Sequence, residues 1–158
     1  MIRPTKPEDK AAVIAVASTI GFQDAELAEL DTMLANYFAG SSDADTSAAF
    51  WLTDLDESRG VLGLAYCEPE RMTDQTWNLQ LIAIHPDHQG QGRGSALLQA
   101  VEQTVVARGG RMLLVETSGL PSFGPTRGFY SKCHYEQEAR IRDFYTAGED
   151  KIVFRKLL

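Results

Sequence analysis

The chain has 158 residues, of which 44% are hydrophobic and 23% are charged, as is typical of one soluble globular domain. Its 15 basic and 22 acidic residues give a net charge of −7, which argues against nucleic-acid binding and mildly favours a cationic substrate. The sequence lacks both an apolar stretch of the roughly 20 residues that span a membrane and the pattern of a signal peptide. We therefore expect one cytoplasmic domain over residues 1–158 that binds neither nucleic acid nor membrane.

The hydrophobic periodicity predicts an α/β chain. In chain order, the predicted strands are residues 2–4, 48–54, 61–68, 75–85, 111–116, 138–145 and 151–157. The predicted helices lie between Thr5 and Gly21, between Asp24 and Gly40, over 95–108 and over roughly 124–132. Thr5 and Glu8 match a capping box at the first helix, Asp24 is predicted to cap the second, and residues 41–45 are predicted as a polar turn. These elements predict one mixed sheet with helices on both faces, in which a helical crossover makes the fourth and fifth strands parallel.

A glycine-rich turn, Gln89–Gly94, lies between the fourth predicted strand and the third predicted helix. Such a turn favours an anion site, because phosphate oxygens can approach the bare backbone N–H groups at the positive end of the helix dipole. A P-loop is excluded, since no Lys follows any of these glycines. A dinucleotide fingerprint fits poorly, because Ser95 stands where its third glycine belongs. The pattern Gln/Arg-x-x-Gly-x-Gly/Ala is satisfied by Gln89, Gly92 and Gly94.

This third pattern resembles the pyrophosphate loop of the GNAT superfamily, the acetyl-CoA-dependent N-acetyltransferases. Residues 84–98 resemble its fourth strand, loop and third helix throughout, and residues 128–135 resemble its "FYxKxGF" fourth helix and turn. The opening residues 2–9 also fit a common start of such domains. The resemblance implies a single GNAT-like domain with a mostly antiparallel sheet of six to seven strands, in which parallel strands four and five splay apart.

The resemblance also implies acetyl-CoA as co-substrate, with its pantetheine arm in the gap between the splayed strands. Ala83 is expected near a bulge that turns an amide toward the thioester carbonyl. Arg93 is a candidate for a phosphate contact through its guanidinium. The residues expected to contact the cofactor are Ile82, Ala83, Ile84, Gln89, Gly90, Gln91, Gly92, Arg93, Gly94, Ser95 and Tyr130.

The reaction needs a proton donor for the leaving thiolate and a proton acceptor for the amine. Tyr130 matches the tyrosine that the family uses as general acid, and a phenol keeps its proton at neutral pH. Asn78 occupies the position where many relatives carry a glutamate base, and an amide cannot serve that purpose. Glu116 and Glu68, each predicted at the end of a strand, are the acidic alternatives, and we choose Glu116. His85 and His88 flank Pro86 before the loop and are interpreted as scaffolding.

The sequence therefore predicts an N-acetyltransferase that acts directly, in a ternary complex, on the primary amine of a small molecule or an amino-acid-like compound. A protein lysine or N-terminal acetyltransferase is the close variant, and a non-catalytic acyl-CoA sensor is the alternative from another class. Two cysteines, Cys67 and Cys133, predict neither a disulfide framework nor a metal site and are interpreted as packing residues. The resemblance makes a homodimer plausible.

Overall fold

The structure, a computed structural model, describes residues 1–40 and 48–158, so the predicted polar turn at 41–45 lies outside the described residues. The strands are β1 (Ile2–Pro4), β2 (Phe50–Asp56), β3 (Gly60–Pro69), β4 (Thr76–Ile84), β5 (Met112–Ser118), β6 (Glu136–Thr146) and β7 (Glu149–Leu157). The helices are α1 (Lys10–Thr19), α2 (Asp24–Ala39), α3 (Arg93–Ala107) and α4 (Gly124–Lys132). No helix in these ranges is both long and apolar enough to cross a membrane.

The strands form one seven-stranded sheet in the order β1-β2-β3-β4-β5-β7-β6. Only the β4–β5 pair is parallel, and every other neighbouring pair is antiparallel. The predicted mixed, mostly antiparallel sheet is therefore confirmed. The C-terminal hairpin enters the sheet through its second strand, so β7 lies beside β5 and β6 forms the edge.

The parallel strands β4 and β5 separate halfway along their length. Their ladder joins Thr76–Leu79 to Met112–Val115 and ends there, although β4 continues to Ile84 and β5 to Ser118. The predicted splay is confirmed, and its apex lies just beyond the pair formed by Leu79 and Val115. Past this apex, the facing edges of the two strands have no pairing with each other.

A bulge interrupts the ladder between β3 and β4 at Gln80, next to the apex. Tyr66 pairs with Leu81 and Cys67 pairs with Leu79, which leaves Gln80 without a partner on β3. The prediction of a bulge near Ala83 was wrong by three residues. The physical reason is side-chain alternation. Leu79 and Ala83 are four residues apart and would face the same side of a regular strand, but each belongs to a different core. The extra residue between them places them on opposite faces of the sheet.

Each face of the sheet is covered by one pair of helices. One core joins β-sheet residues to α3 and α4, with Leu97, Val101 and Tyr130 buried in it. The other core joins the opposite face to α1 and α2, through residues such as Val13 and Leu34. The predicted layering is confirmed, and it leaves β6 exposed along its whole length.

The caps of the first two helical segments lie one residue away from the predicted caps, and a short 3₁₀ turn, Pro7–Asp9, precedes α1, which begins at Lys10. Before α1, the backbone N–H of Lys6 donates to the carboxylate of Asp9 at 2.8 Å, while the hydroxyl of Thr5 is buried without a hydrogen-bond partner. The predicted Thr5–Glu8 capping box was therefore wrong, because Arg3 holds Asp9 at 2.7 Å and turns it toward the cap. The cap of α2 is likewise Gln23 and not Asp24.

Candidate active site

A cleft of about 980 Å³ runs across the sheet through the opening between β4 and β5. One end is bounded by the glycine turn, and the other by the junction of α1 and α2 at Ile20–Phe22. Residues Leu79–Ile84 of β4 form one wall, and Glu116 and Tyr130 reach the cleft from β5 and α4. The splay therefore brings the predicted cofactor strand, acid and carboxylate into one cavity.

The glycine turn is an open cradle of backbone donors. None of the backbone N–H groups from Gly90 to Ser95 donates a hydrogen bond to an acceptor in the described residues. Gly90 and Gly92 have φ values of 72° and 79°, a conformation that favours glycine, and a Cβ atom at either position would have no neighbour within 4 Å. Because these donors converge at the N-terminus of α3, the cradle fits a diphosphate such as that of coenzyme A.

Two predicted cofactor residues, Gln89 and Arg93, direct their side chains to the protein. The amide of Gln89 donates to the carbonyl of Ile84 at 3.0 Å, which ties the turn to the end of β4. The guanidinium of Arg93 lies 2.7 Å from Asp54, a carboxylate of β2. A phosphate contact through that guanidinium would have to use the N–H groups that this ion pair leaves free, whereas the backbone N–H of Arg93 belongs to the cradle.

Tyr130 is held in an apolar wall of the cleft. It is 4% exposed and packs between Phe129, Tyr135 and Phe154, with ring centroids 5.3 to 5.9 Å apart. Burial raises the pKa of the Tyr130 phenol above its ordinary value, and nearby Cys133 adds to this effect. The hydroxyl has no hydrogen-bond partner among the described residues, so its proton is available to a ligand in the cleft.

Glu116 is the first residue of β5 beyond the apex, and donors on two sides hold its carboxylate. Asn78 Nδ2 lies 3.2 Å from Oε1, and Lys151 Nζ lies 2.9 Å from Oε2. Asn78 also donates to Glu70 at 2.7 Å, so this buried amide bridges two carboxylates. The Glu116 side chain remains 29% exposed, within reach of a substrate in the cleft.

The remaining candidates lie outside the lining of the cleft. Glu68 accepts hydrogen bonds from Tyr66 at 2.8 Å and Gln80 at 3.2 Å, so it supports the bulge. The ring of His85 accepts a hydrogen bond from the backbone N–H of Asp87, which agrees with a scaffolding role. Cys67 is a buried core residue, and both cysteines are free thiols. The described residues contain no group of three or more potential metal ligands.

Sequence reasoning missed Lys151 as a residue of the site. Lys151 reaches Glu116 only because β7 lies beside β5, an arrangement that no local pattern in the sequence indicates. Glu26 is one of the acidic residues that the sequence offers for attracting an amine, although a charged residue on a predicted helix is ordinarily interpreted as surface; it lines the cleft from the first turn of α2. Lys151 carries no sequence signal of its role.

The comparisons with known proteins agree with this geometry. A family profile described as "Acetyltransferase (GNAT) domain" matches residues 46–137. The chain is similar to a GNAT-family acetyltransferase from Desulfovibrio desulfuricans, with 31% identity, a TM-score of 0.91 and coverage of 99% of this chain and 98% of that chain. No curated protein is a match.

More distant solved structures share the fold. An aminoglycoside 6′-N-acetyltransferase in complex with coenzyme A is 14% identical, with a TM-score of 0.78 over 99% of this chain and 96% of that chain. A ribosomal-protein-alanine N-acetyltransferase from Brucella melitensis is 16% identical, with a TM-score of 0.78 over 100% and 99%. The family profile and the 31% identical structure carry the assignment. The chain therefore belongs to the GNAT family and is an N-acetyltransferase whose acetyl donor is acetyl-CoA.

Proposed function

We propose that the enzyme transfers an acetyl group directly to the primary amine of a small molecule, with both substrates bound in one ternary complex. The observation that carries this proposal is the continuity of the cleft. One cavity joins the anion cradle at Gly90–Ser95 to a pocket at the α1–α2 junction, and both Glu116 and Tyr130 line it. Holding both reactants in one cavity removes the entropic cost of their encounter.

The donor is held by backbone groups at two places in this proposal. The N–H groups of Gly90–Ser95 bind the diphosphate, and β4 between Gln80 and Ile84 has a free edge for the pantetheine amides, because its ladder with β5 ends at Leu79. Acetyl-CoA supplies a thioester whose acyl carbon is electrophilic. A backbone N–H on this free edge of β4 is the group suited to stabilise the oxyanion.

Glu116 and Tyr130 move the protons in this proposal. Glu116 takes a proton from the acceptor ammonium, which exposes the nitrogen lone pair. As the new C–N bond forms and the C–S bond breaks, Tyr130 gives its proton to the departing sulfur. The second proton that the nitrogen loses on becoming an amide passes to solvent, and the Tyr130 phenolate takes a proton from solvent. The hydrogen bonds from Asn78 and Lys151 keep the carboxylate of Glu116 at the apex, so Asn78 supports a base on the neighbouring strand in place of acting as one.

The test combines calorimetry with an assay of CoA release. Purified protein is titrated with acetyl-CoA, and thiol release is then followed with a panel of primary amines. We expect saturable binding of acetyl-CoA and amine-dependent formation of CoA. Binding without release for any amine would contradict the proposed transfer and would leave an acyl-CoA sensor as the function.

A further inference from the structure

The charged residues that line the cleft are all acidic. Within the ranges 1–40 and 48–158, the lining contains Glu26 and Glu116 but no lysine or arginine. Glu26 lies at the acceptor end, and the cofactor end is built from uncharged residues and backbone amides. A negatively charged lining of this kind attracts ammonium groups and repels carboxylates.

The cations near the end of β5 are already engaged by the protein. Lys151 pairs with Glu116 at 2.9 Å, and Arg140, which lies beside Gly119, pairs with Asp150 at 2.7 Å. Arg127 donates to the carbonyls of Ser118 and Leu120, each at 2.8 Å. These three side chains have protein partners, so a substrate carboxylate would have to displace one of those contacts.

Glu26, in contrast, has little engagement with the protein. Its carboxylate accepts one hydrogen bond, from the backbone N–H of Gln23 at 3.3 Å, and it forms no ion pair within the described residues. Phe22 lines the same end of the cleft, and aromatic faces attract organic cations. An exposed aromatic pair, Phe144 and Tyr145, lies near Glu116, since Lys151, which pairs with Glu116, lies 4.0 Å from the centroid of the Phe144 ring.

We propose that the acceptor is an amine that carries a second ammonium group and no carboxylate, and that Glu26 binds this second ammonium group. The inference rests on the proposed function, whose acceptor amine it specifies. This inference excludes the amino-acid-like acceptors that the sequence allowed. The acceptors it favours are diamines, polyamines and amino sugars that carry several amines. The net charge of −7 assists the approach of such a substrate.

The experiment compares three acceptors of equal chain length: putrescine, butylamine and γ-aminobutyrate. Because Glu26 is solvent-exposed, we expect putrescine to exceed butylamine by about two- to fivefold in kcat/KM, with the advantage shrinking as salt is raised. We expect γ-aminobutyrate to be the poorest of the three. Equal rates for all three, or a preference for γ-aminobutyrate, would overturn the inference.

Two variants assign the effect to Glu26. In Glu26→Gln the ratio of the kcat/KM values for putrescine and butylamine should fall toward one, and glutamine can still complete the helix cap. Glu29→Gln, on the same helix but outside the cleft lining, should behave as the unmodified protein. An equal loss for both amines in Glu26→Gln would contradict a role in binding the second charge.

A failure of the proposed function can be distinguished from a failure of the inference about the second ammonium group. If acetyl-CoA binds but no amine releases CoA, the transfer proposal fails, and calorimetry of the CoA-loaded protein then decides the inference alone. Tighter binding of putrescine than of γ-aminobutyrate, lost in Glu26→Gln, would support it. Equal binding of the two compounds would refute it.

Discussion

Replacing Tyr130 with phenylalanine tests the assignment of the general acid with the smallest possible change. The variant keeps the ring that packs against Phe129 and Phe154 and removes only the hydroxyl. Because that hydroxyl has no protein partner among the described residues, we expect the free energy of unfolding to change by less than about 0.5 kcal/mol. The fold and the cleft should therefore survive the substitution.

The catalytic effect of this substitution should be much larger than its effect on stability. General acid–base groups contribute roughly 10²- to 10⁴-fold, so kcat should fall by at least about a hundredfold, equivalent to about 2.7 kcal/mol in the activation barrier. Affinity for acetyl-CoA, measured by calorimetry, should stay within about twofold, since one hydroxyl of a large ligand surface is involved. Thiol release under saturating substrates gives kcat directly.

Tyr135 offers a matched control for the same substitution. It is also 4% exposed and packs on Tyr130, but its hydroxyl donates to Glu102 at 2.8 Å and does not line the cleft. Tyr135→Phe should lower stability by about 1 kcal/mol while leaving kcat almost unchanged. A kcat for Tyr130→Phe within about twofold of the unmodified enzyme would refute the reasoning, because it would mean that another group protonates the sulfur.

Three further predictions concern the carboxylate, the cradle and the acid stability of the fold. Glu116→Gln should lower kcat by at least about tenfold at unchanged acetyl-CoA affinity, and an unchanged kcat would remove Glu116 as the base. Gly92→Glu should weaken acetyl-CoA binding at least about tenfold through backbone strain and charge repulsion. Gly109 has a similar φ of 85° but lies at the far end of α3, so Gly109→Glu should leave this affinity unchanged. Equal acetyl-CoA affinities of the two variants would refute the assignment of the cradle as the diphosphate site. Hydrogen bonds from the Arg3 side chain and from the backbone N–H of Lys6 lower the pKa of Asp9 in the folded state. The stability that these bonds contribute is therefore present above the unfolded pKa of about 4, and it is lost as the pH falls through the lower folded pKa. Urea unfolding between neutral and acidic pH should therefore show a shallower pH dependence for Asp9→Asn than for Asp87→Asn, whose side chain is exposed, and identical slopes would contradict the assignment.

Local patterns were sufficient to predict most elements of the fold. α4 and β1 have the predicted bounds, and the other strands differ from prediction by about two residues at either end. These predictions succeed because apolar periodicity and turn residues act over a few neighbouring positions. Capping is less predictable: Asp9 replaces Glu8 because Arg3, six residues away, competes for the side chain.

The two parts of the site differ in how far the sequence determined them. The glycine cradle is a local structure, since the end of a strand, a turn with positive φ angles and the start of a helix are contiguous in Ile84–Ser95. The six residues Gln89–Gly94 are therefore sufficient to indicate an anion site. The splay of β4 and β5 was expected from the family resemblance. The bulge that accompanies it was placed at the wrong residue, because its position depends on which face each neighbouring side chain must cover.

What the sequence by itself determined is therefore the proposed donor side of the enzyme: the cradle, the strand that leads to it and the tyrosine of α4. Only the tertiary structure decided the proposed acceptor side. Insertion of β7 between β5 and β6 brings Lys151 to Glu116, the parallel pairing of β4 and β5 brings Asn78 to the same carboxylate, and the packing of α2 brings Glu26 to the cleft. Along the chain, Lys151, Asn78 and Glu26 lie between about 35 and 90 residues from Glu116. No local sequence pattern connects them, so their arrangement around the cleft depends on how the whole sheet assembles.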